Sequence, residues 1–270
     1  MFLEEYTEDT GIKVFHEDIE TNHDDYNAQW LDQIFQEEER HFWFIARKEF
    51  IFNQMKKLID SSAKIIEIGA GTGNVSRYLQ QRGYSNLAVG EMHSNGLRYA
   101  KSYGIKECYQ FDLLRAPFVD EFEVVCMFDV LEHIEDDHLA LSNIYTILQK
   151  RGHLVLTVPS HMWLWNHDDI IAGHKRRYTR KELERKLNDA GFKVEISRYF
   201  FISIVPLLWV RKVLNRNKMK ETCADNDEKS IALNALVNKV LLYITRLENR
   251  IENFLPNRFG GSLLVIASKR

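Results

Sequence analysis

The amino-acid sequence predicts an α/β fold: a doubly wound, mostly parallel sheet of seven strands, with an N-terminal helical cap and a helical insertion before the last strand. Three observations carry this expectation. Short apolar, β-branched runs alternate with helix-length stretches from residue 64 to residue 200, the rhythm of parallel βαβ units. The first of these runs enters a glycine cluster that opens a helix. A last strand-like run, Ser262 to Ser268, follows a long excursion that does not fit the repeat.

The elements follow in order. Residues 1–27 are acidic, polar and without periodicity, and read as a flexible arm. From Trp30 to Leu58 apolar residues recur at helical spacing, which places one or two helices there. Lys64 to Ile68 is the first strand, followed by a helix from about Asn74 to Arg82. Leu87 to Glu91 is the second strand, with a helix from about Ser94 to Tyr103, and Glu107 to Phe111 is the third. Phe122 to Phe128 is the fourth, with a helix from about Asp137 to Gln149, and Gly152 to Val158 is the fifth. Thr179 and Glu182 form the capping signature of a helix that ends at Gly191, and Lys193 to Arg198 is the sixth strand. A long amphipathic helix runs from Leu233 to Phe254 before the seventh strand. The chain therefore divides into an arm and cap (1–60), a core (61–199 with 259–270) and an insertion (200–258).

Composition narrows the class. With 45% hydrophobic and 28% charged residues the chain is neither disordered nor a disulfide-rich scaffold. The net charge of -3 hides an asymmetry: residues 1–40 hold 13 acidic side chains against Lys13 and Arg40, and the rest is basic. That points to an internal charge partner or an anionic ligand. Cys108, Cys126 and Cys223 match no metal or redox spacing and read as reduced thiols, so a cytoplasmic protein is expected. The N-terminus lacks the pattern of a secretory signal. The longest apolar run, Tyr199 to Val210, falls short of the roughly 20 residues of a membrane span.

The chemistry is concentrated in the glycine cluster, Glu67-Ile-Gly69-Ala-Gly71-Thr-Gly73-Asn74. Glycine lets a backbone turn sharply and approach a ligand. A dinucleotide loop would read GxGxxG; here the third glycine comes one place early and Asn74 stands where that pattern needs glycine. Glu67 would repel a phosphate and suits a ligand carrying an ammonium group. Glu91 ends the second strand, where a carboxylate can accept from both hydroxyls of a ribose. Asp112 follows the third strand, where it can accept from an adenine amino group. Three carboxylates at three consecutive strand ends point to a nucleoside ligand.

EIGAGTGNVS, AVGEM, FDLL and FDVLEHI, in this order, resemble the class I S-adenosylmethionine-dependent methyltransferases, with their Rossmann-like fold. The resemblance covers about residues 64–200 and the final strand. It implies Gly69, Ala70 and Gly71, with Gly73 completing the loop, against the methionine part of S-adenosylmethionine, and Glu67 reaching its ammonium through water. It implies Glu91 on the ribose, Met92 on the adenine face, and Asp112 and Leu113 at the adenine rim. It implies the backbone of Phe128 and Asp129 at the amino-acid end and His133 near the reaction pocket. HFWFIARKE and GHKRRYTRKEL further resemble bacterial methyltransferases of cell-surface glycan or lipid pathways. That similarity implies Trp43, Phe44 and Arg47 over the cofactor, although an aromatic-plus-Arg face is also an ordinary packing seam.

Methyl transfer needs a nucleophile held in line, and a base if that nucleophile is a hydroxyl. Four histidines compete for that role, in the order His167, His133, His174, His161. Asp129, Glu132 and His133 could bind a divalent metal, but a glutamate at a helix start usually caps or pairs, so no metal is expected. The segment 171–186 holds seven basic residues and two acids. It could grip an anionic acceptor, form a solvated face, or pair with the acidic arm. Residues 199–220 end in Arg211, Lys212, Arg216, Lys218 and Lys220, and fit either a lid or dimer helix or a peripheral membrane contact. Nucleic acid is not expected as a partner. The expected activity is methyl transfer from S-adenosylmethionine to an O- or N-nucleophile of a small-molecule, glycan or lipid-type acceptor, leaving S-adenosylhomocysteine. The rivals are a non-catalytic S-adenosylmethionine-binding protein and, behind it, an NAD-dependent oxidoreductase.

Overall fold

A computed structural model describes residues 2–19, 28–214 and 233–270. Cys223, the basic Arg216, Lys218 and Lys220, the side chain of Trp30 and the middle of the acidic arm lie outside the described residues. In chain order the elements are β1 (Thr7–Asp9), β2 (Ile12–Val14), α1 (Ala28–Glu37), α2 (Phe42–Met55), β3 (Ile65–Ile68) and α3 (Asn74–Gln80). Then come β4 (Leu87–Glu91), α4 (Ser94–Ser102), β5 (Glu107–Gln110), β6 (Phe122–Phe128), α5 (Asp137–Ile147) and β7 (Leu148–Pro159). The chain ends with α6 (His167–Ile171), α7 (Arg180–Asp189), β8 (Phe192–Phe200), α8 (Val205–Leu214), α9 (Ala235–Arg250) and β9 (Ser262–Lys269).

The strands form one mixed sheet in the order β1-β2-β5-β4-β3-β6-β7-β9-β8. The described sheet has nine strands where the sequence predicts seven. The two extra strands come from the arm that was expected to be flexible. Thr10 and Gly11, both at positive φ, turn a short hairpin, and β2 then lies parallel to β5 with Lys13 opposite Tyr109. Apolar aromatics hold it there: Phe2 and Phe15 pack on Phe118 and Tyr109 with ring centroids 5.4–6.3 Å apart. Three-residue strands are too short to show a periodicity, which is why composition alone misread them. The arm's acids pair locally, Asp18 with Arg115 and Asp9 with Arg98.

The central strands β3 and β4 are buried at every residue, as parallel strands covered on both faces must be. One face packs α5 and α7 through Leu141, Ile144, Leu183 and Leu187. The other packs α2 and α3 through Phe50, Ile51, Val75 and Leu79. β3 lies between β4 and β6, so the chain order reverses there and a crevice opens at the C-terminal strand ends.

β9 runs antiparallel between β7 and β8. The end of β8 lies beside the start of β9, with Phe200 opposite Ser262, so the insertion that carries α8 and α9 leaves and re-enters the sheet at the same end. Glu248 of α9 accepts from the backbone N–H of Ile202 and Ser203, at 2.7 and 2.8 Å, and fixes the entry to α8. α9 also joins the cap: Phe42 N donates to Asn238 Oδ1 at 2.8 Å, and Arg246 pairs with Glu49. Among the described residues no helix is long and apolar enough to cross a membrane.

Candidate functional site

The glycine loop leaves β3 in a left-handed conformation. Gly69 has φ +69°, and a Cβ there would stand 2.5 Å from Val130 Cγ2. Glycine is therefore required twice over, by the backbone angle and by the approach of the loop after β6. Asp129, just before Val130, is itself left-handed at φ +57°. Gly73 has a different reason: it N-caps α3 at φ +77°, and a Cβ there would meet Ala100 of α4 at 2.8 Å. Asn74, which stands where a dinucleotide loop would need glycine, has its side chain bound to the cap. It accepts from Lys48 Nζ at 3.0 Å and donates to Glu39 at 2.8 Å.

A cavity of about 860 Å³ opens above this loop. Its wall includes Trp43, Arg47, Glu67, Gly69, Ala70, Gly71, Phe128, Asp129, His133, His167 and His174 of the residues singled out in the sequence. Gly73, Glu91, Met92, Asp112 and Leu113 are not part of that wall. Glu67 is buried and accepts from the backbone N–H of Ser76 at 2.9 Å; burial pushes its carboxyl up to about 7. Glu91 turns both oxygens onto backbone donors, Gly71 N at 2.9 Å and Met92 N at 2.7 Å. It thus sits one hydrogen bond away from the glycine loop, and burial raises its pKa against the effect of these donors. Asp112 caps the turn that follows it by accepting from Leu114 N at 2.8 Å, and its own N–H donates to His16 Nδ1.

Arg47 lines the cavity. Its guanidinium lies 4.3 Å from the Trp43 ring centroid and is ion-paired with Asp129. Packing and site-lining coincide at these residues.

The opposite wall comes from the loop between β7 and α7. Asn166 caps α6 in a reciprocal capping box with Asp169. The buried Asp169 also receives Nε and Nη2 of Arg177 at 2.8 and 2.9 Å and the Nδ1 of His174 at 2.8 Å. These charge-assisted bonds hold its carboxyl below the usual range despite burial. Arg176 pairs with Asp137 at 3.1 Å. The two arginines of GHKRRY are therefore turned onto internal carboxylates, and among the described residues neither pairs with the acidic arm.

His167 lines the cavity, and its buried Nδ1 has no hydrogen-bond partner. His161 takes φ +61° and stacks on Tyr199 at 4.9 Å, outside the cavity wall. Burial lowers its pKa. His133 and His174 meet edge to face, centroids 4.8 Å apart. Glu132 is fully buried and neither carboxylate oxygen has a hydrogen-bond partner; His174 Nε2 stands 3.9 Å from its Oε1. Burial and then the nearby Asp129 push its pKa well above the ordinary range.

Several site residues escaped the sequence reading. Glu38 of the cap accepts from Thr72 of the glycine loop and from Tyr103, bridging α1 to the core. Asp168 lines the cavity and pairs with Arg211 at 2.9 Å. Asp169 had a legible signal, since Asn166 followed three residues later by an acid is a capping pattern. Glu38 had only its place in an acidic run. The roof is apolar, with Leu207 and Leu208 from α8 and Val237 and Leu241 from α9.

The family described as "methyltransferase domain" matches residues 35–196, more than half of the chain. No curated protein sequence matches significantly. Among solved structures, a SAM-dependent methyltransferase of Thermotoga maritima is similar at 16% identity and TM-score 0.57, covering 90% of this chain and 99% of that one. One from Mesorhizobium loti gives 16% identity and TM-score 0.53, with 82% and 98% covered. Phosphoethanolamine N-methyltransferase 2 of Haemonchus contortus, in complex with S-adenosyl-L-methionine, gives 15% identity and TM-score 0.53, with 82% of this chain and 52% of that one. At these identities the likeness is one of fold.

Proposed function

The chain belongs to the methyltransferase domain family, and we propose that it transfers the methyl group of S-adenosylmethionine to an oxygen or nitrogen nucleophile on an acceptor with an apolar part. One observation carries this reading: a single cavity joins the glycine loop, a histidine-bearing wall and an apolar roof. The family match counts against the nicotinamide alternative, as do Asn74 and Glu67.

The residues present fit the donor. Gly69, Ala70 and Gly71 offer an open backbone cradle, and Glu67 is a buried carboxylate that can face an ammonium through water. Glu91 exchanges its bond to Gly71 N for the ribose hydroxyls, with Met92, Asp112 and Leu113 around the base. The backbone of Phe128 and Asp129 takes the amino-acid end, and Arg47 with Trp43 closes the mouth. Bound in this way, the sulfonium supplies an electrophilic methyl carbon, so the protein's task is alignment more than activation. His167 takes the proton of the acceptor nucleophile; its position in the wall, with Nδ1 lacking a partner, supports that role. Leu207, Leu208, Val237 and Leu241 line the path for the acceptor's apolar part, which favours a lipid-type acceptor over a free sugar.

The test has two arms. Calorimetry with S-adenosylhomocysteine and with NAD should give binding of the former alone; binding of NAD alone overturns the reading. Label from methyl-tritiated S-adenosylmethionine should then appear in a bacterial lipid extract. His167→Ala should lower that transfer by about 10²- to 10⁴-fold while leaving S-adenosylhomocysteine affinity intact. Equal transfer by the variant removes His167 as the base, and binding with no transfer to any extract leaves the non-catalytic alternative.

A further inference from the structure

We propose that Glu132, His133 and His174 bind a divalent metal ion of the zinc type at the acceptor end of the cavity. The ligand atoms of the three side chains lie within 4.8 Å of one another. Ligand atoms sharing one zinc ion sit roughly 3–3.5 Å apart, given bonds of about 2.0–2.2 Å, so small rotations close the site.

Three features make this more than a coincidence of residue types. First, Glu132 is fully buried and both of its oxygens lack a hydrogen-bond partner. A buried carboxylate in that state is costly unless a proton or a cation sits beside it. Second, the hydrogen bond between His174 Nδ1 and Asp169 Oδ1, at 2.8 Å, puts the proton on Nδ1. Nε2 lies 3.9 Å from Glu132 Oε1. The Asp169 carboxylate behind His174 is the usual support of a metal-bound imidazole, and it leaves Nε2 as the ring nitrogen turned toward Glu132. Third, the site is assembled by the backbone: Lys175 N donates to Glu132 O at 2.8 Å, which docks the GHKRRY segment onto the turn after β6. Asp129, the acid that the sequence pattern offers next to Glu132, is engaged by Arg47, and His174 supplies the third ligand from 42 residues downstream.

Two imidazoles and one carboxylate with open positions favour Zn²⁺ over Mg²⁺, which prefers oxygen ligands. The consequence for chemistry rests on the methyl-transfer reading, whereas the metal site itself does not. A hydroxyl coordinated at the open position would ionise more easily. Its proton passes to His167, its oxygen lone pair forms the bond to the methyl carbon, and the carbon–sulfur pair leaves with sulfur as a neutral thioether.

The experiment uses the full chain, stripped with dipicolinate, dialysed and titrated calorimetrically with ZnCl2, MnCl2 and MgCl2. Zinc should bind at one equivalent and more tightly than magnesium by about 100-fold or more. Glu132→Gln and His174→Gln should each weaken zinc binding by about 100-fold, and Asp169→Asn by roughly 10- to 100-fold. S-adenosylhomocysteine titrated into the same proteins reports whether each variant is folded. His174→Gln, at a loop position whose side chain keeps some solvent exposure, serves if Glu132→Gln fails to fold. Zinc binding that is absent, or unchanged in a folded variant, overturns the metal site and means that a proton, not a cation, sits beside Glu132. Zinc binding without S-adenosylhomocysteine binding overturns the methyl-transfer reading and leaves the metal site standing.

Discussion

The two ends of the cavity are built in different ways. The end at the glycine loop is made of backbone and strand termini, Gly69 to Gly71 and Glu67, with Glu91 behind them on Gly71 N, all within one βαβ stretch of the sequence. The far end is made of side chains gathered from residues 132–133, 166–177, 207–211 and 233–241. The first end is held by local geometry, the second by a buried polar hub on Asp169 and by the roof of α8 and α9. Damage to the hub should therefore cost stability, and damage to the strand ends should cost cofactor binding.

The strongest way to break this contrast is Asp169→Ala. It strands the buried guanidinium of Arg177, which should cost about 3–5 kcal/mol in urea unfolding. S-adenosylhomocysteine affinity of the folded protein should change by less than about threefold, since the glycine-loop end keeps its own backbone frame. A large loss of affinity with little loss of stability would erase the distinction between the two ends.

Next in size is Glu67, whose carboxyl is raised to about 7 by burial. Between its ordinary pKa of about 4.5 and 7 the folded chain holds a proton that the unfolded chain has released, so stability falls as pH rises through this window. The shift corresponds to about 3 kcal/mol. Glu67→Gln should remove that part of the pH dependence, measured by urea unfolding at successive pH values; an unchanged slope would mean another group carries it. Ionisation of Glu67 above pH 7 should also tighten binding of an ammonium-bearing ligand.

The smallest of the three is Glu91→Ala. It should weaken S-adenosylhomocysteine binding by on the order of 2 kcal/mol, through loss of charge-assisted hydrogen bonds. Glu91 also holds Gly71 N and Met92 N, so the loop loses a brace. Unchanged affinity by calorimetry would remove Glu91 from the cofactor end and leave it a purely structural brace.

The strands and helices from Lys64 to Arg198 were legible because their apolar runs match the length of buried parallel strands and their glycines mark turns. Thr179 was legible as a cap because capping is local, and it does accept from Glu182 N. The hairpin of residues 7–14 was not legible, because its strands are short and its partner β5 lies about 95 residues away. α6 was hidden in a loop by its length of five residues. The histidines were visible as types, but their ranks depend on neighbours. His161 and His174 have different neighbours, Tyr199 in one case, Asp169 and Glu132 in the other, and only the second lines the cavity.

By itself the sequence determined the α/β class, the crevice after the first core strand and part of its lining, namely Glu67 and the glycine loop. Those rest on short-range rules, namely side-chain periodicity, glycine at positive φ and strand-end carboxylates. Tertiary structure alone decided that Arg176 and Arg177 turn inward, that Glu38 ties the cap to the glycine loop and that Glu132 is buried facing two histidines. These depend on which distant segments meet, and the pairing of buried charges is settled only when burial removes water as the alternative partner.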